Sequence, residues 1–229
     1  MSAVRLLQRL GCEVTFPKSQ ICCGQPAFNS GYKDAARQVA LNNLRAFEDS
    51  EFVICPSGSC AGMVHHYYEE LFSNDTTLLK QAQALADRTY ELSQFIVNVL
   101  KLTDVGAVFP HKVTYHPSCH GSRLLGVKDE PLQLINNVRN IELVPLENSQ
   151  DCCGFGGTFA VKMASVSGAM VSEKVGYIVK TNAEYLLGTD MGCLMNISGA
   201  MRRQGVNTTP MHLAQLLNEG IALSGERNV

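Results

Sequence analysis

The sequence predicts an α/β fold of two pseudo-repeated βαβ halves, with parallel sheets and with cysteines at the carboxyl ends of strands. Three observations predict it. Short apolar segments alternate with helical ones, the pattern of parallel strands joined by helical crossovers. The tripeptide Cys-Cys-Gly occurs twice, as Cys22-Cys23-Gly24 and Cys152-Cys153-Gly154, 130 residues apart. The flanks repeat too: Ser19-Gln20 aligns with Ser149-Gln150, and Val14 with Val144.

Residues 1–10 read as an amphipathic helix with Val4, Leu7 and Leu10 on one side. Residues 14–16 read as the strand that delivers Cys22 and Cys23. A helix at 33–49, a strand at 52–55, the third cysteine Cys60 and a helix near 61–71 complete that unit. Residues 78–102 read as one helix joining the halves. Pro110-His111 marks the boundary, giving a first repeat with its linker at 1–108 and a second at 109–229. In the second, 113–115 is a strand leading to Cys119, and Val144 lies in the strand before Cys152 and Cys153. A helix at 161–180, a strand at 183–187, Cys193 and a helix near 194–203 follow. The cysteines thus fall just after strands, at the edge where parallel sheets build their sites. Helices expected to begin at Gly31, Ala61 and Thr158 would aim positive N-termini at that edge, which favours an anionic group.

The repeat is incomplete at its start. Cys119 precedes Cys152 by 33 residues, and the counterpart ahead of Cys22 would fall at position −11. The duplication therefore predicts roughly 20 further residues upstream, with a strand and a cysteine, from truncation or a misassigned start. An upstream reading frame would hold them.

Composition narrows the function. Net charge is −2, with no basic runs, which argues against nucleic acid as partner. No apolar run reaches the roughly 18 residues that span a bilayer. The first residues lack the apolar core of a signal peptide, so a cytoplasmic protein is expected. Nine cysteines in a reducing compartment are core residues, metal ligands or catalysts rather than disulfides. Adjacent cysteines also make poor disulfides: their Cα atoms lie about 3.8 Å apart, short of the usual range of about 4.4–6.8 Å. Vicinal thiols suit metal binding or redox chemistry instead.

The candidate ligands are Cys119, Cys152, Cys153 and Cys193 in the second half, and Cys22, Cys23 and Cys60 in the first. Cys55 lies five residues before Cys60 and could stand in for the missing fourth ligand, but is read as a core-facing strand residue; Cys12, whose counterpart is Glu142, is read as structural. His116 and His120 flank Cys119. Imidazole can replace thiolate at iron, but hydrogen bonding within a loop is the expected role. His65-His66 is read as a helical surface or packing pair. Gly154-Phe155-Gly156-Gly157 fails the full dinucleotide pattern and is read as room for the backbone to approach a cluster. Ser57-Gly58-Ser59 can cap a helix and donate to cluster sulfurs.

Cysteine, Cys-Cys-Gly and a further cysteine at these gaps resemble the cysteine-rich "CCG" domain family. That domain occurs in heterodisulfide reductase, in the iron–sulfur subunit of glycolate oxidase, in anaerobic glycerol-3-phosphate dehydrogenase and in lactate utilization protein A. The strings Cys22-Cys23-Gly24-Gln25-Pro26-Ala27, Pro56-Ser57-Gly58-Ser59-Cys60, Cys152-Cys153-Gly154-Phe155-Gly156-Gly157 and Asp190-Met191-Gly192-Cys193-Leu194-Met195-Asn196 are most similar to the last of these. The resemblance implies an iron–sulfur electron-transfer subunit of a cytosolic complex oxidising L-lactate to pyruvate. It implies one or two clusters of the [4Fe–4S] kind, a small 2-hydroxy acid substrate, and two companions: a ferredoxin-like iron–sulfur subunit and a small third subunit. Heterodisulfide reductase relatives end the motif with Cys-x-x-Cys and hold non-cubane clusters. Here Met63 and Asn196 take the last position, which leaves four cysteines in the second half for an ordinary cluster. Arg123 is a candidate to pair a substrate carboxylate. Two other functions compete: a heterodisulfide, thiol or glycolate oxidoreductase subunit, and a zinc-binding structural module.

Overall fold

The computed structural model describes residues 1–226. The chain opens with α1 (Ser2–Arg9). Leu6 and Leu7 are buried and Ala3 and Leu10 pack beside them, while Val4 lies off this face. The buried stripe is therefore turned slightly from the predicted Val4–Leu7–Leu10 line. The chain then runs through α2 (Gln25–Asn29) and α3 (Lys33–Ala46) to β1 (Val53–Cys55). A continuous helical stretch follows: α4 (Gly58–Gly62), a π-helical turn at Met63–Tyr67, and α5 (Tyr68–Phe72). Next come α6 (Thr76–Asp87), β2 (Thr89–Glu91) and α7 (Leu92–Gln94), which continues as a π turn to Val99.

The second half begins with β3 (Lys112–His116) and a π turn at His120–Leu124. It continues through α8 (Asp129–Asn136), β4 (Glu142–Val144), α9 (Thr158–Lys162), α10 (Ala164–Lys180), β5 (Tyr185–Gly188), α11 (Met191–Arg203), β6 (Thr209–His212) and α12 (Leu213–Glu226).

The α/β class and the parallel strands are as predicted. β1 and β2 form a two-stranded parallel sheet, and the other four strands form a parallel sheet in the order β4-β3-β5-β6. From β3 the chain steps outward to β4, then crosses back to β5 on the other side. The order reverses at the junction of β3 and β5, so a crevice opens beyond their carboxyl ends, where open α/β sheets bind ligands. Their register places His116 opposite Gly188 at that lip.

Two predicted elements are corrected. Residues 14–16 form no strand: no ladder partner reaches them, Phe16 is exposed and Pro17 follows with no N–H to offer. The helix expected over 78–102 is interrupted by β2. Thr89 and Glu91 are buried there in register with Val53 and Cys55, so sheet pairing overrides the helical pattern. The predicted 161–180 helix is also split, at Met163. Strand β6 and helices α8 and α12 lie outside the predicted set.

Three apolar clusters hold these layers. Ala36, Met63, Tyr68, Phe72 and Leu85 anchor one, on the first half. Val175, Ile178, Leu186 and Ile197 anchor another, which includes Cys153 and Cys193. The third joins α1 to β3, α8, β6 and α12 through Leu6, Val113, Ile135 and Leu216. Arg9 ties the first helix to the last, donating from Nη1 to the Asn218 carbonyl at 2.7 Å.

Candidate metal centre

Cys119 follows β3, Cys152 and Cys153 follow β4, and Cys193 lies in the first turn of α11, after β5. The crevice beyond β3 and β5 therefore gathers all four. The Cys152 sulfur has those of Cys119 and Cys153 as neighbours, and Cys153 in turn neighbours Cys193. Contact among these thiols, that with Cys119 foremost, lowers the Cys152 pKa and raises those of Cys119 and Cys153. The Gly154 N–H donates to the same Cys152 sulfur at 3.4 Å. Four thiols at one sheet edge are the start of a metal-binding set.

Glycine in the motif has a steric cause. Gly154 has φ +79°, and a Cβ there would stand 2.8 Å from the Ser167 carbonyl oxygen. The equivalent Gly24 has φ +89° and faces Val39 and Ala36. In both loops the second cysteine's carbonyl is pinned from a helix. Tyr68 donates to the Cys23 carbonyl at 3.0 Å, and Asn196 donates to that of Cys153 at 2.8 Å. Asn196, at the position where heterodisulfide reductase relatives carry a last cysteine, thus serves the backbone. Met63, its counterpart, is buried in the first-half core. Lys174, also buried, donates from Nζ to the Asn148 and Ser149 carbonyls and fixes the approach to Cys152.

The first set is smaller. The Cys23 and Cys60 thiols are neighbours, and Ser57 and Ser59 lie beside Cys60. That contact lowers the Cys60 thiol below its ordinary pKa and raises Cys23. Cys22 is exposed beside them, with its carbonyl held by Asn43 at 2.9 Å. Cys55 ends β1 opposite Glu91, and burial pushes its thiol up to about 12. Cys12 packs against the core. Cys55 packs in none of the three apolar clusters and neighbours Cys60 and Glu91 instead.

The two sets adjoin. A Cβ on Gly58 would lie 2.7 Å from the Gly121 Cα, so the loops carrying Cys60 and Cys119 are in backbone contact. Asp190 spans the junction. Its Oδ1 accepts from Gly192 N at 2.9 Å, capping α11, while Oδ2 accepts from Ser59 N at 3.0 Å and Ser57 Oγ at 2.8 Å. Thr158 and Ser30 link the two Cys-Cys-Gly loops at 2.7 Å. His212 adds a third tie. Its Nδ1 accepts from Ala214 N, so Nε2 carries the proton and donates to the Pro56 carbonyl. Asp190 was legible only as a helix N-cap, an aspartate just before an apolar helical run; His212 and Lys174 gave no signal.

His116 stands apart from the other histidines. It is 1% exposed, and neither ring nitrogen has a hydrogen-bond partner. Its ring and the sulfurs of Cys153 and Cys193 offer ligand atoms all within 4.8 Å of one another. Burial pushes the imidazole down to about 4, so it is neutral near pH 7, the form that binds metals. Soft thiols with a dry, unpartnered imidazole fit an iron–sulfur cluster or zinc and suit hard cations poorly. A cleft of about 190 Å³ opens beside Cys152, lined in part by Arg123, Asp151, Glu173 and Lys174.

This fold and its gathered thiols define a cysteine-rich-domain protein, and the family model for that domain matches residues 1–65 and 113–198. Lactate utilization protein A of Geobacillus sp. (strain WCH70) is 54% identical over 95% of this chain and 91% of its own length. Lactate utilization protein A of Macrococcus caseolyticus is 52% identical over 96% and 90%. Lactate utilization protein A 1 of Bacillus anthracis is 50% identical over 96% and 91%. The chain belongs to the lactate utilization protein A family.

Proposed function

We propose that this chain serves lactate utilization as the iron–sulfur electron-transfer subunit of a cytoplasmic complex that oxidises L-lactate to pyruvate. The relatives' names supply the metabolic role. The observation that carries the electron-transfer role is that Cys119, Cys152, Cys153 and Cys193 all follow the carboxyl ends of adjacent parallel strands, with Cys153 and Cys193 offering sulfurs within 4.8 Å of each other. These four would hold one cluster, and Cys22, Cys23 and Cys60 would be ligands of a second. A bound [4Fe–4S] cluster would supply one-electron transfer. The protein's part is to hold the thiols poised. Gly154, Asn196 and Lys174 fix the loop that presents Cys152 and Cys153, and Asp190 keeps the two sets adjacent.

We read the chain as two cysteine-rich repeats, 1–108 and 109–229, in keeping with the two matched segments. No helix among the described residues is long and apolar enough to cross a membrane. The partners proposed are a ferredoxin-like iron–sulfur subunit and a small third subunit. The cleft beside Cys152 has room for a three-carbon acid, and Arg123 at its rim would pair the carboxylate through its planar fork. Asp151 and Glu173 on the same walls would favour a ligand with hydrogen-bond donors as well, as a 2-hydroxy acid has. Arg123→Ala should raise the KM for lactate of the assembled complex at least tenfold, by loss of about 1.4 kcal/mol or more of binding. An unchanged KM removes Arg123 from this role.

The reading is tested by adding L-lactate to the anaerobic complex and following the cluster's EPR signal. Reduction by lactate and not by thiols supports it. Reduction by thiols alone assigns the chain to thiol–disulfide chemistry.

A further inference from the structure

His116 does something that neither the fold nor the cysteine motif requires. A buried polar group normally has a partner, and leaving one without costs about 1–3 kcal/mol. The chain has six histidines. His65, His66 and His212 each reach a backbone carbonyl, His111 reaches Glu184, and His120 lies 3.5 Å from the Cys119 sulfur. His116 alone has both ring nitrogens buried and without a partner among the described residues. It is also the residue whose ring shares a 4.8 Å sphere with two thiols.

Its position is fixed by rigid structure. His116 is the last residue of β3, paired with Gly188 of β5, at the switch point of the sheet. Cys153 and Cys193 are buried as well. Metal–nitrogen and metal–sulfur bonds of about 2.0–2.3 Å can be closed across this spacing by one metal atom with a small adjustment. A ligand on a strand end, unable to swing to solvent, is preorganised for that.

We propose that His116 is a direct ligand of the second-half centre, bound through a ring nitrogen beside Cys153 and Cys193. The inference rests on the iron–sulfur reading. It gives the centre five protein donors, Cys119, Cys152, Cys153, Cys193 and His116, one more than an ordinary [4Fe–4S] cluster has irons, so His116 would share an iron with a cysteine. A neutral imidazole adds less negative charge to an iron than a thiolate does, and histidine ligation elsewhere raises cluster potentials.

The test is pulsed EPR of the full chain, purified anaerobically, reduced, and labelled with ¹⁵N-histidine. The expected result is the strong nitrogen coupling of a bound imidazole, lost in His116→Ala and kept in His120→Ala. His116→Cys should retain the iron, lose the coupling and lower the midpoint potential. Should His116→Ala not fold, the labelled wild type, His120→Ala and His116→Cys decide the matter. Coupling too weak for a direct bond, or coupling that survives without His116, overturns the assignment while leaving the cluster reading intact. A wild-type protein with zinc or with no metal overturns both.

Discussion

Replacing Asp190 with alanine removes three hydrogen bonds and the strap between the two cysteine sets in one step. Oδ1 caps α11, and losing an N-cap costs about 1 kcal/mol. Oδ2 accepts from Ser59 N and Ser57 Oγ, and bonds to a charged group contribute about 1.5–3 kcal/mol each. These two donors are only partly buried, so water restores part of that. A total of about 3–4 kcal/mol is expected, or roughly 10 °C in Tm for a chain of this size. Asp190→Ser separates the contributions, because serine caps well but is too short to reach the first-half loop. It should cost about 1 kcal/mol less than Asp190→Ala. The chain has no tryptophan, so urea unfolding followed by far-UV circular dichroism is the practical assay. A loss under about 0.5 kcal/mol for Asp190→Ala, the scale of a neutral surface change, would refute the reasoning.

Glu91 predicts a pH dependence. Its carboxyl is 1% exposed, and burial raises it from 4.5 to about 7 despite bonds from Ser93 and Gln94. The folded state then holds the proton more tightly than the unfolded one. Its contribution to stability is therefore intact below about pH 4.5, falls as pH rises to about 7 and levels beyond, by about 3 kcal/mol at most. Glu91→Gln keeps an acceptor for the Ser93 and Gln94 N–H groups. The wild-type-minus-variant stability difference should fall along this curve, and a flat difference would contradict the burial argument. Gly154→Ala should destabilise by at least about 2 kcal/mol, combining a left-handed φ with a Cβ against the Ser167 carbonyl. It should also lower the bound iron per chain, and full iron loading with unchanged stability would sink the steric account of the motif.

Most of the second-half site was legible in the sequence. Cys119, Cys152, Cys153 and Cys193 each follow a strand end, and a parallel sheet brings such ends to one edge. Gly154 was read as room for a cluster, whereas the constraint on it is its left-handed φ and the Ser167 carbonyl of α10. Residues 14–16 were misread because alternating apolar residues make a strand only where a ladder partner exists. β2 was missed because three residues between helices cannot override a helical pattern until β1 is seen beside them. His116 was weighed as a loop histidine, since sequence gives no sign that both its nitrogens are dry and unpaired. Asp190 and His212 act across 131 and 156 residues of chain, beyond any local pattern.

The central claim is that the thiols at the β3–β5 crevice hold an iron–sulfur cluster, and metal analysis tests it most directly. Iron and acid-labile sulfide should be counted per chain after anaerobic purification, for the wild type and for Cys152→Ser. About four of each, largely lost in Cys152→Ser, is the result predicted for one cluster in the second half, and about eight for clusters in both halves. Stoichiometric zinc, or no metal in a folded, colourless protein, would contradict the account.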